Sequence, residues 1–209
     1  MDIEYKGGNC VIITTKKVTL AVDAKLSAIG LKDYGVKAQV QLATQPQFTV
    51  EGTNSLVFKG PGEYEVENIS IKGIAAQAHL DAKSEALRAT MFRLTIGDIS
   101  LAIVGHIHPD LSEAQLEALG VIDILVAPVG GNGYTLDATG AVQLIKAIDP
   151  KIVIPTHYKD EQITYEVPQQ DLKDFLKDLG APHQESSKLK LKQGLPHEVL
   201  TVEVITRTA

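Results

Sequence analysis

Apolar positions in the first third of the chain alternate with polar ones or fall in short β-branched runs, at residues 3–6, 11–15 and 18–22. That spacing predicts strands, because successive side chains point to opposite faces. Gly7-Gly8-Asn9 and Lys16-Lys17 separate the runs as hairpin turns would. Residues 24–37 follow neither the strand nor the helix period. Further strands are expected at 40–42, 55–58, 63–66 and 69–74, with Gly60-Pro61-Gly62 as a turn. Residues 89–96 and 99–104 form a hairpin across Gly97-Asp98. The expectation for this half is a largely antiparallel meander.

The period changes after residue 110. Residues 112–119 predict a helix capped by Ser112, with Gln115 completing a capping box. Residues 121–127 and 151–155 are continuous apolar runs, as in strands buried on both faces. Between them, residues 137–148 place Ala141, Leu144, Ile145 and Ile148 on one helical face. A helix over 169–179 ends at Gly180, and residues 199–205 close the chain as a strand. Lys188, Lys190 and Lys192 alternate with Leu189 and Leu191, which predicts a solvated edge strand guarded by lysines. Strands followed by alternating helix and buried strand imply sheets covered by helices. No linker or internal repeat divides the chain, so one domain over residues 1–209 is expected.

Composition narrows the chemistry. The chain has 209 residues, a formal net charge of −6, one cysteine and six histidines. Cys10 alone forms no internal disulfide, and cysteine-based zinc ribbons are excluded. Beside a predicted strand and without a local base, it reads as a small core filler. The acidic balance and the lack of a basic stripe argue against nucleic acid. No apolar run approaches the roughly 20 residues that span a bilayer, and no signal-peptide profile opens the chain. The reading is a cytoplasmic protein that binds neither nucleic acid nor membrane, with a homo-oligomer left open.

No phosphate-binding loop and no serine-hydrolase elbow occurs, and Gly130-Gly131-Asn132-Gly133 does not match a dinucleotide fingerprint. The histidines say more. His106 and His108 follow the apolar run 100–104, and His157 ends the run 151–157. Two strand ends that deliver imidazoles to one rim of a sheet suit metal or acid–base chemistry. The plainer alternative is loop histidines satisfied by backbone bonds.

Several blocks together resemble one family. They are Gly60-Pro-Gly-Glu-Tyr-Glu-Val66, Ile71-Lys-Gly-Ile74, the strand end around Gly105, Ala127-Pro-Val-Gly-Gly131, Tyr134-Thr-Leu-Asp-Ala138 and Pro150-Lys-Ile-Val-Ile-Pro-Thr-His-Tyr158. In order and spacing they resemble the metallo-β-lactamase superfamily, in the branch of ascorbate-6-phosphate lactonase-like proteins and uncharacterised metal-dependent hydrolases. The resemblance implies an α/β (α+β type) fold, a four-layer αββα sandwich with its site along one edge between two sheets. It also implies one or two zinc or manganese ions, held largely by an H-x-H-x-D-H motif.

Here the matching stretch is Val40-Gln-Leu-Ala-Thr-Gln-Pro-Gln-Phe-Thr49, which puts Thr44, Pro46, Phe48 and Thr49 at the ligand positions. None is a credible ligand. His79 falls within one residue of the next family histidine, and His106 stands where a bridging aspartate belongs. A neutral imidazole has one lone pair and bridges nothing. His157 keeps its expected place. The leading expectation is therefore a degenerate, non-hydrolytic member without a cofactor, binding a small molecule or a protein near the old cleft. The alternative is a hydrolase of an ester, lactone or phosphoester with a mononuclear zinc or manganese site. His79, His106 and His157 would be its metal ligands, with Asp137 or His108 as the catalytic group orienting water. A third reading is a subunit that supports an active paralogue. Asp137 also suits the N-cap of its helix; His183 and His197 read as surface residues, and Tyr134 and Tyr158 as cleft or core.

Overall fold

The structure is a computed structural model and describes residues 1–34, 37–79, 88–192, 195 and 199–208. Two sheets face each other. The first has the order β13-β1-β2-β3-β4-β5, formed by β1 (Asp2–Gly7), β2 (Cys10–Thr14), β3 (Thr19–Val22), β4 (Val40–Leu42), β5 (Leu56–Phe58) and β13 (Leu189–Lys190). The second has the order β12-β14-β11-β10-β9-β8-β7-β6. Its strands are β6 (Gly62–Val66), β7 (Ile69–Gln77), β8 (Arg88–Ile96), β9 (Ile99–Ile103), β10 (Ile124–Pro128), β11 (Ile152–Thr156), β12 (His183–Ser186) and β14 (Thr201–Ile205). The helices are α1 (Glu113–Leu119), α2 (Ala138–Ile148) and α3 (Leu172–Leu179).

Alternation along each strand builds the layers. Ile3, Tyr5, Val11, Ile13, Leu20 and Val22 of the first sheet meet Ile71, Phe92, Leu94, Leu101, Val126 and Ile154 of the second in one buried cluster. β10 and β11 are buried at every position. Ile124 and Val126 face the other sheet, while Leu125 and Ala127 face Ala141, Leu144 and Ile145 of α2. That double burial is why these two runs are continuous in hydrophobicity. The outer face of the first sheet is covered differently. Cys10, Ile12 and Ala21 lie under Ala24, Leu26, Ala38 and Val50, from connecting segments that contain short 3₁₀ turns.

Several boundaries follow local chemistry. The Ser112 side chain accepts from the Gln115 N–H, and the Gln115 side chain answers to the Ser112 N–H, so α1 has the expected capping box. α2 starts where the Asp137 carboxylate accepts from Gly140 N at 2.7 Å. β13 is an edge strand with Leu189 and Leu191 buried and Lys190 and Lys192 exposed.

The antiparallel expectation holds for β1-β2-β3 and for β6 to β9, but β3-β4 and β4-β5 pair parallel. The cause is the pair of connections through residues 23–39 and 43–55, each long enough to cross over rather than turn back. The third helix starts at Leu172 rather than at 169, which leaves Gln169 free to face the site described below. β12 has no apolar pattern, being exposed along most of its length, and was not visible as a strand in the sequence. His183 is exposed there, and His197 lies outside the described residues.

Ile154 is fully buried between the two sheets. Ile154→Ala should lower the unfolding free energy by about 3–4 kcal/mol in a denaturant titration, the cost of a core cavity that neighbours fill only in part.

Candidate functional site

Three strand ends turn inward along one edge of the sandwich. β3 ends at Val22, and Asp23 takes a left-handed backbone with φ 45°. β9 ends at Ile103, and Gly105, with φ 62°, swings the chain so that His106 is buried. β11 ends at Thr156, and His157 takes φ 50°. Such conformations are uncommon outside glycine and cost about 1 kcal/mol or more each, so the surroundings must hold them. They do: Asp23 N donates to Leu42 O at 2.9 Å, and His157 N donates to Gly8 O at 2.8 Å. The second bond joins the two sheets. Thr156 Oγ1 to Asn9 Oδ1 at 2.9 Å and Thr90 N to Thr44 O at 2.8 Å join them again.

The strand ends bound a cleft lined among others by Asn9, Asp23, Phe48, His106, Tyr134 and His157. Tyr165, Gln169 and the apolar Leu26, Ile29 and Val167 complete much of the wall. Lys25 and Glu166 stand beside them with opposite charges. Two glycines make the walls approach so closely. A Cβ on Gly105 would lie 2.5 Å from Thr44 Oγ1, and one on Gly130 would lie 2.1 Å from His157 O. This accounts for Gly130 of the glycine-rich stretch: no side chain fits beneath His157.

Asp23 is buried, and both its oxygens are engaged by one residue. Thr44 N donates to Oδ1 at 2.7 Å and Thr44 Oγ1 to Oδ2 at 2.7 Å. Burial nevertheless raises its pKa to about 7, against the lowering effect of the Thr44 bonds and a weaker contribution from Asn9. Asn9 Nδ2 is itself buried and reaches no partner at full hydrogen-bond geometry.

The imidazoles are also buried. Burial holds His106 well below the usual histidine range, helped by His157 and His79. Burial lowers His157 to about 4, against the hydrogen bond it donates to Gln169. His157 Nδ1 lies 3.1 Å from Gln169 Oε1, while Gln169 Nε2 donates to Val167 O at 2.9 Å. The amide oxygen is thus the acceptor, which makes Nδ1 of His157 the protonated nitrogen and leaves Nε2 with the lone pair.

The three histidines expected to matter do gather, around an aromatic ring. The Tyr134 ring lies 5.0 Å from that of His79, 4.7 Å from His106 and 5.9 Å from His157. His106 and His157 meet edge to face at 4.5 Å. On its other flank His106 meets Phe48 at 5.6 Å. Nδ1 of His79 and Nδ1 of His106 are buried without a partner.

The remaining candidates stand elsewhere. His108 Nδ1 accepts from Asp110 N at 3.2 Å and does not line the cleft. Asp137 caps α2 and lines a separate small cavity with Thr135 and Gly140. Asn9, Asp23, Tyr165 and Gln169 were not singled out from the sequence. Asp23 had one available signal, an acidic residue directly after a β-branched run; the others lie in turns and loops with no pattern to mark them.

The donor set does not fit the family's metal centre as the side chains stand. Thr44 is committed to Asp23, Pro46 and Phe48 carry no ligating atom, and Thr49 Oγ1 is buried without a partner. Among the described residues no group of three or more His, Cys, Asp or Glu side chains is placed to hold a metal ion. No helix among them is long and apolar enough to cross a membrane.

Comparison with known proteins agrees with the architecture. A beta-lactamase superfamily domain model matches residues 2–157. A metal-dependent hydrolase of Thermoplasma acidophilum is 32% identical over 111 residues, covering 52% of this chain and 48% of that protein. A metal-dependent hydrolase of Carboxydothermus hydrogenoformans is 33% identical over 67 residues, covering 32% of this chain and 29% of that protein. The chain therefore matches about half or less of the length of these relatives. Among solved structures, a proposed Zn-dependent hydrolase of the metallo-β-lactamase superfamily from Thermotoga maritima superposes with TM-score 0.79 at 23% identity, covering 98% of this chain and 99% of that one. A proposed metal-dependent hydrolase from Parabacteroides distasonis gives TM-score 0.66 at 16% identity, covering 99% and 93%.

The buried acid and the buried bases pull stability in opposite directions with pH. An aspartate raised from 3.8 to about 7 costs the fold stability as pH rises across that window, because the unfolded chain ionises first. A histidine lowered from 6.5 to about 4 costs stability as pH falls across its window, because the unfolded chain takes up the proton first. Asp23→Asn should therefore gain on wild type from pH 4 to 7 and then level off, by about 4 kcal/mol. His106→Gln should lose less stability than wild type between pH 6.5 and 4. Denaturant midpoints across pH 4–8 check both. Gly105→Ala should destabilise by about 2–3 kcal/mol at any pH in the same titration, from overpacking against Thr44 together with the left-handed φ. On these observations the chain belongs to the metallo-β-lactamase superfamily.

Proposed function

We propose that this chain is a metal-free, non-hydrolytic member of its superfamily that binds a small molecule in the cleft. One observation carries the reading: the segment that supplies metal ligands in the family is spent here on packing. Thr44 is bonded twice to Asp23, and the Phe48 ring rests against His106. The concave, largely apolar wall with a few convergent polar groups suits a small molecule better than a flat protein surface. The relatives' description as metal-dependent hydrolases concerns proteins that this chain matches over half their length or less.

A second reading draws on one specific observation, the buried and unpartnered Nδ1 atoms of His79 and His106. In it those two residues and His157 hold a single zinc, and the protein hydrolyses an ester, lactone or phosphoester. Zinc or manganese there would supply Lewis-acid chemistry and an acidified water.

One experiment separates the two. The purified protein is assayed for metal by elemental analysis, then melted with and without added zinc or manganese. The metal-free reading expects substoichiometric metal and an unchanged melting temperature. A saturable rise in melting temperature, abolished by His106→Ala and by His157→Ala, would establish the mononuclear site instead, since a ligand of the native state must stabilise it.

A further inference from the structure

Resting on that reading of the cleft, we infer that its ligand is a small quaternary ammonium compound, held by the aromatic rings of Phe48, Tyr134 and Tyr165 with Glu166 at the rim. Phe48, His106, Tyr134, His157 and Tyr165 all line the cleft. They come from the 3₁₀ turn Pro46–Phe48, from the ends of β9 and β11, and from the loops that follow β10 and β11. The rings form a continuous chain. Centroids are 5.6 Å apart for Phe48 and His106, 4.7 Å for His106 and Tyr134, 5.9 Å for Tyr134 and His157, and 4.7 Å for His157 and Tyr165. The interplanar angles in that order are 53°, 56°, 35° and 47°, so no pair spends its faces on mutual stacking. The imidazoles are buried, whereas Phe48, Tyr134 and Tyr165 are only half-buried and keep aromatic surface for a ligand. The Tyr165 ring is fixed by its hydroxyl, which donates to Tyr158 O at 2.9 Å. A cation over an aromatic face is attracted by the quadrupole of the ring.

Charge selects the sign of the ligand. Glu166 is exposed in the lining and forms no ion pair among the described residues. Lys25 is the one lysine among the described lining residues, and it stands 3.5 Å from Asp33, so that pair adds no net charge. Asp23 is a second carboxylate of the lining, and it is buried. The Tyr134 hydroxyl registers both: burial raises its pKa first, and the charges of Glu166 and Asp23 raise it further. A field that opposes a phenolate favours a cation at the same place. Hydrogen bonding selects the kind of cation. A primary ammonium brings three N–H donors that need acceptors. Asp23 already accepts from Thr44 N and Thr44 Oγ1, with a further contribution from Asn9, and so offers chiefly its charge. A quaternary nitrogen has no N–H to satisfy, and its methyl groups suit the rings and the apolar Leu26, Ile29 and Val167. An anion would meet Glu166 and Asp23 instead.

The test titrates choline, its uncharged carbon isostere neohexanol, and ethanolamine into chelator-treated protein at pH 8, where imidazoles are neutral. Aromatic ¹H–¹³C resonances of Phe48, Tyr134 and Tyr165 report binding. The expected result is a saturable shift with choline, and binding weaker by about tenfold or more for neohexanol and for ethanolamine. Glu166→Gln should weaken choline by about threefold and leave neohexanol unchanged. Tyr134→Leu should weaken choline by a similar factor and Tyr134→Phe should restore it, because the ring rather than the hydroxyl holds the charge. Circular dichroism confirms that each variant is folded. No saturable shift with choline, equal affinity for neohexanol or ethanolamine, or unchanged choline affinity in Glu166→Gln overturns the ligand class. Phosphatidylcholine vesicles added as competitor separate two sources of the group: choline should stay bound, and its displacement would overturn the small-molecule source in favour of a lipid headgroup. Zinc titrated into a second sample reports separately: uptake at the imidazoles overturns the metal-free reading, whatever the choline result.

Discussion

Burial of two sheet faces against each other is the constraint from which the rest follows. Isoleucine, valine and leucine side chains of both sheets fill a single cluster, with Tyr5 and Phe92 among its largest fully buried members. At roughly 25 cal/mol per Å² of apolar surface, this is the dominant stabilising term in such a fold. It fixes which way every strand faces, because a one-residue slip would turn the apolar set outward. It also fixes where polar chemistry can occur. Inside the sandwich the ladders pair the backbone groups of neighbouring strands, so functional groups gather where strands leave the sheets.

At the cleft edge the chain solves a satisfaction problem. Asp23, His106 and His157 leave their strands through left-handed turns and become buried, and each needs partners there. Thr44 serves Asp23, Gln169 serves His157, and Asn9 serves Thr156 across the sheets. The accounting is incomplete: Nδ1 of His79 and Nδ1 of His106 stay buried without a partner. Natural proteins rarely leave buried polar atoms so without a purpose. The unpaired atoms and the strained backbone occupy the same edge, which is where function is concentrated in folds of this kind.

Some of this was legible in the residues themselves. The continuous runs of β10 and β11, the Ser112–Gln115 box and the lysine-guarded edge at Leu189 were read correctly because each depends on local periodicity or a local hydrogen bond. His106 and His157 could be placed at strand ends because each stands just after an apolar run, His106 beyond Gly105 and His157 beyond Thr156. The parallel pairing of β3, β4 and β5 was not legible, since parallel and antiparallel strands share one side-chain period and differ only in the path of their connections. β12 was invisible because an exposed edge strand has no apolar face to announce it.

The sequence by itself determined the fold, because the apolar period and the order of its blocks are properties of which side chain stands at which position. Only the tertiary structure decided how the side chains along the cleft edge are paired. Asp23 and Thr44 are separated by 21 positions, and Asn9 and Thr156 by 147, yet each pair is hydrogen-bonded. No periodicity encodes such pairs, because they arise where separate strand ends are brought to one edge by the packing of the sheets. The same packing set the Tyr134 ring against three imidazoles. The sequence could count histidines, but their surroundings are a property of the folded edge.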